Sequence, residues 1–413
     1  MGSLVYIDAR QVDTKTVIRE MKRPYSLEEY IEKVKPIVED VRERGYAAVR
    51  EYSERFDTRS FDDPRVARSE MEEALREIGD EARWALEVAA KRIREYHEAT
   101  MPRDTVREGY GLVWRPVERV GAYVPAGAKP YPSTLLMTCI PARVAGSRLV
   151  VAASPPYRDR GFKAHPLIEA AALVAGIDAL YAVGGAQAVA GLAFGVNPLP
   201  RVDKIVGPGS PYVEAAKLIV STETGIDMVA GPSEIAILAD DSANPELVSL
   251  DLLAQAEHGA FSSAVLVTPS KSLADQVASR IKDHVREPHM GLVFVVVTSS
   301  VGQAIGIVNE YAPEHLEIVM ENPRDVVNEI RNAGAVSLGE PVAYMDYAAG
   351  PSHVLPTSGA ARWRGGLSVY DFLKPIALVS AVDEETLDAA IVLARLEGFR
   401  FHAESLEARK KAR

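Results

Sequence analysis

The chain has 413 residues, of which 47% are hydrophobic and 25% are charged, a composition that excludes disorder as its main state. This length suggests about two to four domains of ordinary size. The 58 acidic and 47 basic side chains leave a net charge of −11, which disfavours nucleic acid and anionic membranes as partners. Cys139 is the single cysteine, so an internal disulfide and a zinc site built from several cysteines are excluded.

The N-terminus has neither the basic region nor the long apolar region of a signal peptide. The longest uncharged stretch, residues 179–200, is long enough to cross a bilayer but is rich in alanine and glycine and contains two prolines. A strand, a turn and a helix account better for this stretch. We therefore expect a cytoplasmic protein that does not bind membranes.

From Ser26 to about Ala99 the apolar residues recur at helical spacing. Ser26 and Glu29 form a capping-box pattern, which predicts that the first helix of this region starts there. We expect an N-terminal segment over residues 1–25 and a helical region over 26–119 that packs on an α/β unit.

After about Val120, short apolar runs alternate with helical patterns in two series. The predicted strands of the first series are 149–153, 180–183 and 204–206, and those of the second are 234–239, 264–268, 293–297 and 316–319. Such alternation predicts parallel sheets covered by helices on both faces. We expect a first α/β unit over 233–366, on which the N-terminal helical region packs, and a second over 120–232. The remaining residues, 367–413, form a predicted helical tail.

Standard nucleotide and metal motifs are absent from the sequence. The nearest approach to a G-x-G-x-x-G dinucleotide fingerprint is GPGSPY at 207–212, where a tyrosine takes the place of the last glycine. Chemistry must therefore be sought among individual side chains, and the eight histidines are the most informative. His97, His284 and His289 lie in charged surroundings, so we expect them at the surface.

His258 ends a predicted helix, and Gln255 stands three residues before it on the same helix face. The two side chains could reach one metal ion. The alternative is a histidine at a helix C-terminus that interacts favourably with the helix dipole.

Glu314 and His315 stand where a predicted helix gives way to a strand. A carboxylate and an imidazole in neighbouring environments can divide acid and base roles, although an incidental histidine in a capped loop is the alternative. Asp346 lies in a segment of small residues, where it could be an oxygen ligand or a turn former. His402 lies in a tail composed otherwise of surface charges.

Taken together, these segments resemble the histidinol dehydrogenase family. The motifs follow the order and spacing of that family from about Ser26 to His402. They are VGGAQA at 183–188, KIVGPG at 204–209, IDMVAGPSE at 226–234, QAEH at 255–258, APEHLE at 312–317 and HVLPT at 353–357.

The resemblance implies oxidation of L-histidinol to L-histidine through L-histidinaldehyde, the last step of histidine biosynthesis. It implies the reduction of two NAD⁺ and one Zn²⁺ per subunit. The fold it implies has two incomplete Rossmann-like parallel-sheet units and an extended helical tail in an intertwined homodimer with shared active sites. The implied zinc ligands are Gln255, His258, Asp346 and His402, the last supplied by the partner subunit.

The resemblance also assigns roles. His315 resembles the base that takes the alcohol proton while hydride leaves for NAD⁺, and Glu314 resembles the residue that activates water on the aldehyde. Both roles suit the chemistry, because alcohol oxidation needs a base near neutrality and aldehyde oxidation needs an added oxygen. The implied substrate contacts are Ser233, Gln255, His258, His315, Asp346, Glu397 and His402.

The NAD contacts that the resemblance implies are Tyr123, Gln187 and Ser210. The sequence departs from the family pattern at two positions nearby. Ser210 stands where the family usually has asparagine, and Ala126 stands where it usually has glycine. A serine hydroxyl still donates and accepts a hydrogen bond, but its reach is shorter.

Two alternatives remain open. One is a paralogous dehydrogenase on the same scaffold that oxidises a sulfonated diol. Against it stand YPSTLLM at 131–137 and LSVYDF at 367–372, which are similar to the histidinol enzymes, and the acidic pair Glu397 and Asp346, which suits a cationic substrate. The other is a non-catalytic relative that binds zinc or a nucleotide, but such a protein should have lost Glu314 or His315.

Overall fold

The computed structural model describes residues 3–21, 26–57, 59–126, 129–158, 161–380 and 383–412. Contacts divide the chain into two compact units. The main unit consists of Met1–Thr100 and Val117–Phe372, and the small unit consists of Met101–Pro116 and Leu373–Arg413. Within the described residues, no helix is both long and apolar enough to cross a membrane.

The described strands run from the first residues of the chain to the tail. They are β1 (Leu4–Asp8), β2 (Arg65–Val66), β3 (Thr105–Val106), β4 (Tyr110–Pro116), β5 (Arg119–Tyr123), β6 (Leu149–Ser154), β7 (Ala179–Ala182), β8 (Lys204–Val206), β9 (Gly225–Ile226), β10 (Glu234–Ala239), β11 (Ser263–Thr268), β12 (Leu292–Val297), β13 (His315–Val319), β14 (Ala335–Leu338) and β15 (Leu373–Val379).

The described α-helices mostly alternate with these strands. They are α1 (Thr14–Met21), α2 (Glu28–Arg44), α3 (Tyr46–Asp57), α4 (Arg68–Glu77), α5 (Asp80–Ala99), α6 (Pro132–Ala145), α7 (Pro166–Ala175), α8 (Gly185–Phe194), α9 (Pro211–Val220), α10 (Pro245–Ala256), α11 (Lys271–Ile281), α12 (Val301–Tyr311), α13 (Pro323–Val326), α14 (Val342–Tyr347), α15 (Glu384–Leu396) and α16 (Arg400–Lys411).

The first sheet of the main unit has six parallel strands in the order β1-β12-β11-β10-β13-β14. Side chains of α10 and α11 pack on one face, and side chains of α1 and α12 pack on the other. Along β10, Ile235 and Ile237 point to one core while Ala236 and Leu238 point to the other. This alternation leaves no polar face, as expected of a parallel sheet covered on both sides.

The second sheet of the main unit has the order β2-β7-β6-β5-β8-β9. Its strands are parallel except β2, which pairs antiparallel with β7. Side chains of α2, α3, α8 and α9 form one core with this sheet. The two sheets share one spatial strand order. If strands are numbered in chain order from β5 in this sheet and from β10 in the first sheet, five strands of each lie in the order third, second, first, fourth, fifth.

The predicted strands and helices of both series are confirmed to within a few residues. The helices α2 and α3 pack on the second sheet and not, as expected, on the α/β unit over 233–366. Three further features of the sequence analysis need correction. First, the helix predicted to start at Ser26 begins at Glu28, with Leu27 as the N-cap residue. The Ser26 hydroxyl instead accepts a hydrogen bond from the Glu28 amide at 3.2 Å.

Second, the tail is not entirely helical, because β15 pairs antiparallel with β4 in a three-stranded sheet of the small unit, in the order β15-β4-β3. The partner strand lies more than 250 residues earlier, so no local pattern reveals the pairing.

Third, His97 is fully buried rather than at the surface. It continues the inner face of α5, on which Leu86, Ala90 and Ile93 precede it at helical spacing.

Candidate active site

The candidate active site lies at the amino ends of β10 and β13 in the first sheet. These strands are neighbours, and Ile235 of β10 pairs with His315 of β13. Glu234, the first residue of β10, therefore lies close to Glu314, which immediately precedes β13. The backbone N–H of Glu234 donates to Glu314 Oε2 at 2.8 Å.

The connection from β10 to β11 brings Gln255 and His258 to the same edge of the sheet. The helix α10 starts after the carboxyl end of β10 and returns towards the amino end of β11, which pairs with β10 from Glu234 and Ser263 onward. Gln255 lies in the last turn of α10 and is buried, and His258 follows the helix end. The pKa of His258 is lowered by burial, against the opposing charge of nearby Asp346.

His315 is held between two carboxylates. Its Nε2 lies 2.9 Å from Asp346 Oδ1, and its Nδ1 lies 3.8 Å from Glu314 Oε2. Only 4% of His315 and 5% of Glu314 are exposed, so both groups are shielded from bulk water. The structure thus joins Asp346 to the Glu314 and His315 pair, which the sequence analysis selected separately from it.

Asp346 lies in the short helix α14, and His353 fixes its backbone. Nδ1 of His353 lies 2.8 Å from the Asp346 carbonyl oxygen, and Nε2 lies 2.8 Å from the Thr134 hydroxyl. Thr134 belongs to α6, so this histidine links the Asp346 segment to the helices around the second sheet. Sequence analysis assigned His353 no role, although it opens one of the family motifs.

These surroundings shift the pKa values of the acid–base groups. Burial raises the pKa of Glu314 to about 7, although the charge of His315 opposes the shift. Burial acts to lower the pKa of His315, but the hydrogen bond to Asp346 and the charge of Glu314 outweigh it and raise the pKa to about 9. A carboxyl group that titrates near neutrality and a neighbouring imidazole of higher pKa can divide the proton transfers of a reaction between them.

Glu234 is a site residue that the sequence analysis missed. Its pKa is raised to about 8, first by burial and then by the charge of Glu314, and its Oε2 accepts a hydrogen bond from the Ser358 amide at 3.2 Å. Its position directly after Ser233, inside a family motif, was the available signal.

The metal-ligand prediction divides between the two units. Gln255, His258 and Asp346 belong to the main unit, whereas His402 belongs to the small unit. No group of three or more histidine, cysteine, aspartate or glutamate side chains in the described part of the chain is arranged to hold a metal ion. The predicted ligands in the main unit include two residues of these types, His258 and Asp346.

The two predicted site residues of the tail are exposed. Glu397 is the C-cap residue of α15, and His402 lies in the first turn of α16. The ring of His402 lies 5.1 Å from that of Phe399 in the same unit. Both side chains are therefore accessible on the surface of the single chain.

The predicted cofactor contacts lie together at the carboxyl edge of the second sheet. Tyr123 ends β5, Gln187 lies in the first turn of α8 after β7, and Ser210 follows β8. The strands β5 and β8 are neighbours, but the connection after β5 leads to β6 on one side and the connection after β8 leads to β9 on the other side. In open α/β sheets, ligands bind in the crevice between two such diverging connections.

Two of the three cofactor contacts are buried. The Tyr123 hydroxyl accepts a hydrogen bond from the Gly185 amide at 3.1 Å, and the Gln187 side-chain amide donates to Asp57 Oδ2 at 3.4 Å. Ser210 is exposed, and its side chain does not cap α9, although Ser210 is the N-cap residue. Its hydroxyl is thus the one of the three polar groups that faces solvent.

Comparison with known proteins shows the family to which the chain is similar. The family model described as histidinol dehydrogenase matches residues 21–410. A histidinol dehydrogenase of Methanopyrus kandleri is 45% identical over 408 residues, which cover 92% of this chain and 94% of the relative. One from Thermus thermophilus is 44% identical over 394 residues, which cover 91% of this chain and 94% of the relative.

A solved structure shows the same fold. The crystal structure of histidinol dehydrogenase from Elizabethkingia anophelis matches with a TM-score of 0.90 at 31% sequence identity, and the match covers 100% of this chain and 98% of that one. This similarity shows the class of the protein, which is an NAD-dependent oxidoreductase. Within that class, the chain belongs to the histidinol dehydrogenase family. Membership supports histidinol oxidation in histidine biosynthesis as its activity.

Proposed function

We propose that the protein is a zinc-dependent, cytoplasmic histidinol dehydrogenase that oxidises L-histidinol to L-histidine through L-histidinaldehyde and reduces two NAD⁺. The observation that carries this proposal is the buried arrangement of Glu314, His315 and Asp346 at the amino edge of the first sheet. It supplies two bases for a reaction that needs two, one for the alcohol and one for the hydration of the aldehyde.

In the first step, His315 accepts the hydroxyl proton of histidinol while hydride passes to the nicotinamide ring from the carbon that carries this hydroxyl. The hydrogen bond to Asp346 strengthens His315 as a base, because a neighbouring carboxylate stabilises the protonated imidazole. The product of this step is the aldehyde. Shielding of the site from bulk water protects this reactive intermediate.

In the second step, Glu314 takes a proton from water as the water adds to the aldehyde carbon, and the protonated His315 gives its proton to the carbonyl oxygen, which forms the hydrate. The hydrate then gives up the second hydride to another NAD⁺ while His315 takes one hydroxyl proton, and the resulting acid releases its other proton to solvent and becomes the carboxylate. The raised pKa of Glu314 suits this role, since a base that titrates near neutrality transfers protons efficiently. The Glu234 amide orients the Glu314 carboxylate by donating to Oε2.

Three residues of the main unit fit the proposed metal site. Gln255 and His258 lie at the end of α10, and Asp346 is near enough to His258 for its charge to oppose the lowering of the His258 pKa by burial. The Gln255 side chain is buried, and its amide oxygen, not its nitrogen, is the atom that would bind the metal ion. When bound, Zn²⁺ would hold the imidazole and amino nitrogens of histidinol.

We propose that the fourth ligand, His402, and the substrate contact Glu397 come from the partner subunit of a homodimer. Support comes from the surface of the tail. Leu393, Leu396 and Phe401 flank these residues and are 57%, 78% and 77% exposed in the single chain. Large apolar groups exposed together in this way are typical of an interface with another subunit.

We propose that NAD⁺ binds at the carboxyl edge of the second sheet, on a Rossmann-like unit that lacks the usual glycine fingerprint. The shared strand order of the two sheets supports this interpretation. The cofactor contact that the structure supports best is Ser210, because its hydroxyl is exposed and is not used to cap α9. Contacts of Tyr123 and Gln187 with NAD⁺ would require these buried groups to become accessible.

The test is a count of NADH formed per histidinol consumed, with excess NAD⁺, before and after treatment with a chelator. We expect two NADH per histidinol, loss of activity on chelation, and recovery when Zn²⁺ is restored. One NADH per histidinol would overturn the role of Glu314, and activity that survives complete metal removal would overturn the zinc site. If histidinol gave no NADH and a sulfonated diol did, the paralogous dehydrogenase would replace this proposal.

A further inference from the structure

A cluster of three buried charges lies beside the loop that follows β8. Lys217 and Glu214 project from the same face of α9, and Asp227 follows β9. The side chains of Lys217, Glu214 and Asp227 are 0%, 1% and 0% exposed. Nζ of Lys217 lies 2.7 Å from Asp227 Oδ1, 3.1 Å from Glu214 Oε2 and 3.0 Å from the Gly207 carbonyl oxygen. Three acceptors thus match the three protons of the ammonium group.

The two carboxylates use their remaining capacity on backbone amides. Asp227 accepts from the Gly207 amide at 2.7 Å and from the Met228 amide at 2.7 Å. Glu214 accepts from the Gly209 amide at 3.0 Å and from the Ala230 amide at 2.9 Å. The cluster therefore ties two chain segments to α9, the 207–210 loop and the 227–230 segment.

These two segments lead to the two halves of the proposed chemistry. The 207–210 loop ends at Ser210, the exposed residue of the proposed cofactor site. The 227–230 segment continues through Ser233 to Glu234, whose amide binds Glu314. A single set of side chains thus fixes the cofactor loop and the chain that enters the catalytic edge of the first sheet.

Apolar side chains contribute little to the position of these segments. Gly207 and Gly209 have no side chains to bury, and within 227–230 the buried apolar side chain is that of Met228. Burying three charges is also a poor route to stability alone, because desolvation offsets most of the attraction. Charged side chains with several fixed hydrogen bonds can, however, define the position of a bare backbone.

We propose that Lys217, with Glu214 and Asp227, is a positioning residue that holds the cofactor loop at hydride-transfer distance from the catalytic edge. This inference rests on the proposed function, in which NAD⁺ binds at the 207–210 loop. Lys217 acts through the backbone, without contact with substrate or cofactor. Its removal should therefore disturb cofactor binding and hydride transfer together.

The test compares Lys217→Met, combined with Asp227→Asn so that Glu214 is the one carboxylate of the cluster left without its cation, with the unchanged protein. We expect KM for NAD⁺ to rise and hydride transfer to slow by roughly 10–100-fold, the usual effect of a small misplacement of reactants. The deuterium isotope effect, measured with histidinol labelled at the carbinol carbon, should increase as hydride transfer becomes rate-limiting. Calorimetric binding of NAD⁺ supplies a readout independent of turnover.

Lys204→Met is the matched control. Lys204 lies at the opposite end of the adjoining strand β8, where its Nζ donates to the Asp371 carbonyl oxygen at 2.6 Å. Its loss should lower the melting temperature but leave KM for NAD⁺ and the isotope effect unchanged. Glu214→Gln provides a milder variant that keeps the side-chain shape if the double variant does not fold.

The outcomes separate the two proposals. Wild-type values of KM, NAD⁺ affinity and isotope effect in folded cluster variants would overturn the positioning role, as would equal changes in the Lys204 control. If the unchanged protein bound NAD⁺ but formed no NADH from histidinol, the proposed function would fail. A specific loss of NAD⁺ affinity in the cluster variants would still support the positioning role in that case.

Discussion

At the residue scale, the site depends on two neighbours in the chain that meet different partners. Glu314 precedes β13 and binds the amide of Glu234, whereas His315 begins the strand and binds Asp346. Adjacent residues of an extended chain point in different directions, so one position can carry the water-activating carboxylate and the next the alcohol base. The adjacency was visible in the sequence, but the division of partners was not.

His315→Asn tests the base directly. Asparagine can still donate a hydrogen bond to Asp346 but cannot accept a proton, so we expect turnover to fall by roughly 10²–10⁴-fold while the fold is retained. The measurements are kcat with histidinol and the melting temperature. His289→Asn, at an exposed histidine, is the control and should leave both unchanged. Unchanged turnover in the His315 variant would remove the residue from the mechanism.

His97 predicts a pH-dependent stability. Neither ring nitrogen has a hydrogen-bond partner within the described residues, and burial lowers the pKa of His97 from 6.5 to about 4. The folded state therefore holds the neutral form, and the unfolded state binds the extra proton between about pH 6.5 and 4. The contribution of His97 to the free energy of unfolding is therefore greatest above about pH 6.5 and decreases as the pH falls below that value. Between pH 7 and 5 the loss should be about 2 kcal/mol.

The measurement is the free energy of unfolding in urea at pH 7 and pH 5 for the unchanged protein and for His97→Leu. The variant should lack this part of the pH dependence, because leucine binds no proton. An identical pH dependence in the two proteins would mean that His97 does not stay neutral in the folded state.

At the element scale, the two sheets present opposite edges to the chemistry. The proposed cofactor contacts lie after the carboxyl ends of β5, β7 and β8, whereas the proposed catalytic residues lie at the amino ends of β10 and β13. The short connection from β9 to β10 leaves the carboxyl edge of one sheet and enters the amino edge of the other. One chain segment therefore connects the two edges, and its Ala230 amide donates a hydrogen bond to Glu214 of the Lys217 cluster.

Gly207→Ala tests the loop at the end of β8. Gly207 has φ of 108°, and a Cβ atom there would lie 2.2 Å from the Tyr123 carbonyl oxygen. We expect a loss of at least about 2–3 kcal/mol in the free energy of unfolding, because both the backbone conformation and the contact are unfavourable.

Gly339→Ala is the control, since Gly339 has φ of 79° but open space around a Cβ atom. It should lose only the conformational part, about 1 kcal/mol. Equal losses in the two variants, measured by denaturant unfolding, would show that the close approach to Tyr123 is not retained.

At the scale of the whole molecule, the tail decides whether the active site is shared. If His402 acts in the partner's site, His402→Ala and His315→Asn proteins should each be inactive, but their hybrid should have one site with both residues intact. A random equimolar mixture of subunits should then regain about a quarter of wild-type activity. The measurement is turnover after co-refolding, with each variant refolded alone as the control. A mixture that stays inactive would place His402 outside the partner's site.

Much of this molecule could be predicted because the information is local. The apolar runs at 234–239 and 264–268 predict buried parallel strands. The spacing of Gln255 and His258 alone predicts that they share a helix face. The six motifs between 183 and 357, taken together, also indicated the family, which the comparisons then established.

The tertiary structure decided what depends on distant partners. Contacts between residues well apart in the chain produce the pairing of His315 with Asp346, the burial of His97 and of Gln187, the pairing of β15 with β4, and the ion pair of Lys217 with Asp227. Local periodicity reports which face of an element is apolar, but it does not report which element covers that face. Long-range contacts follow from topology, and they determine which charges are buried together and which carboxylate meets which base.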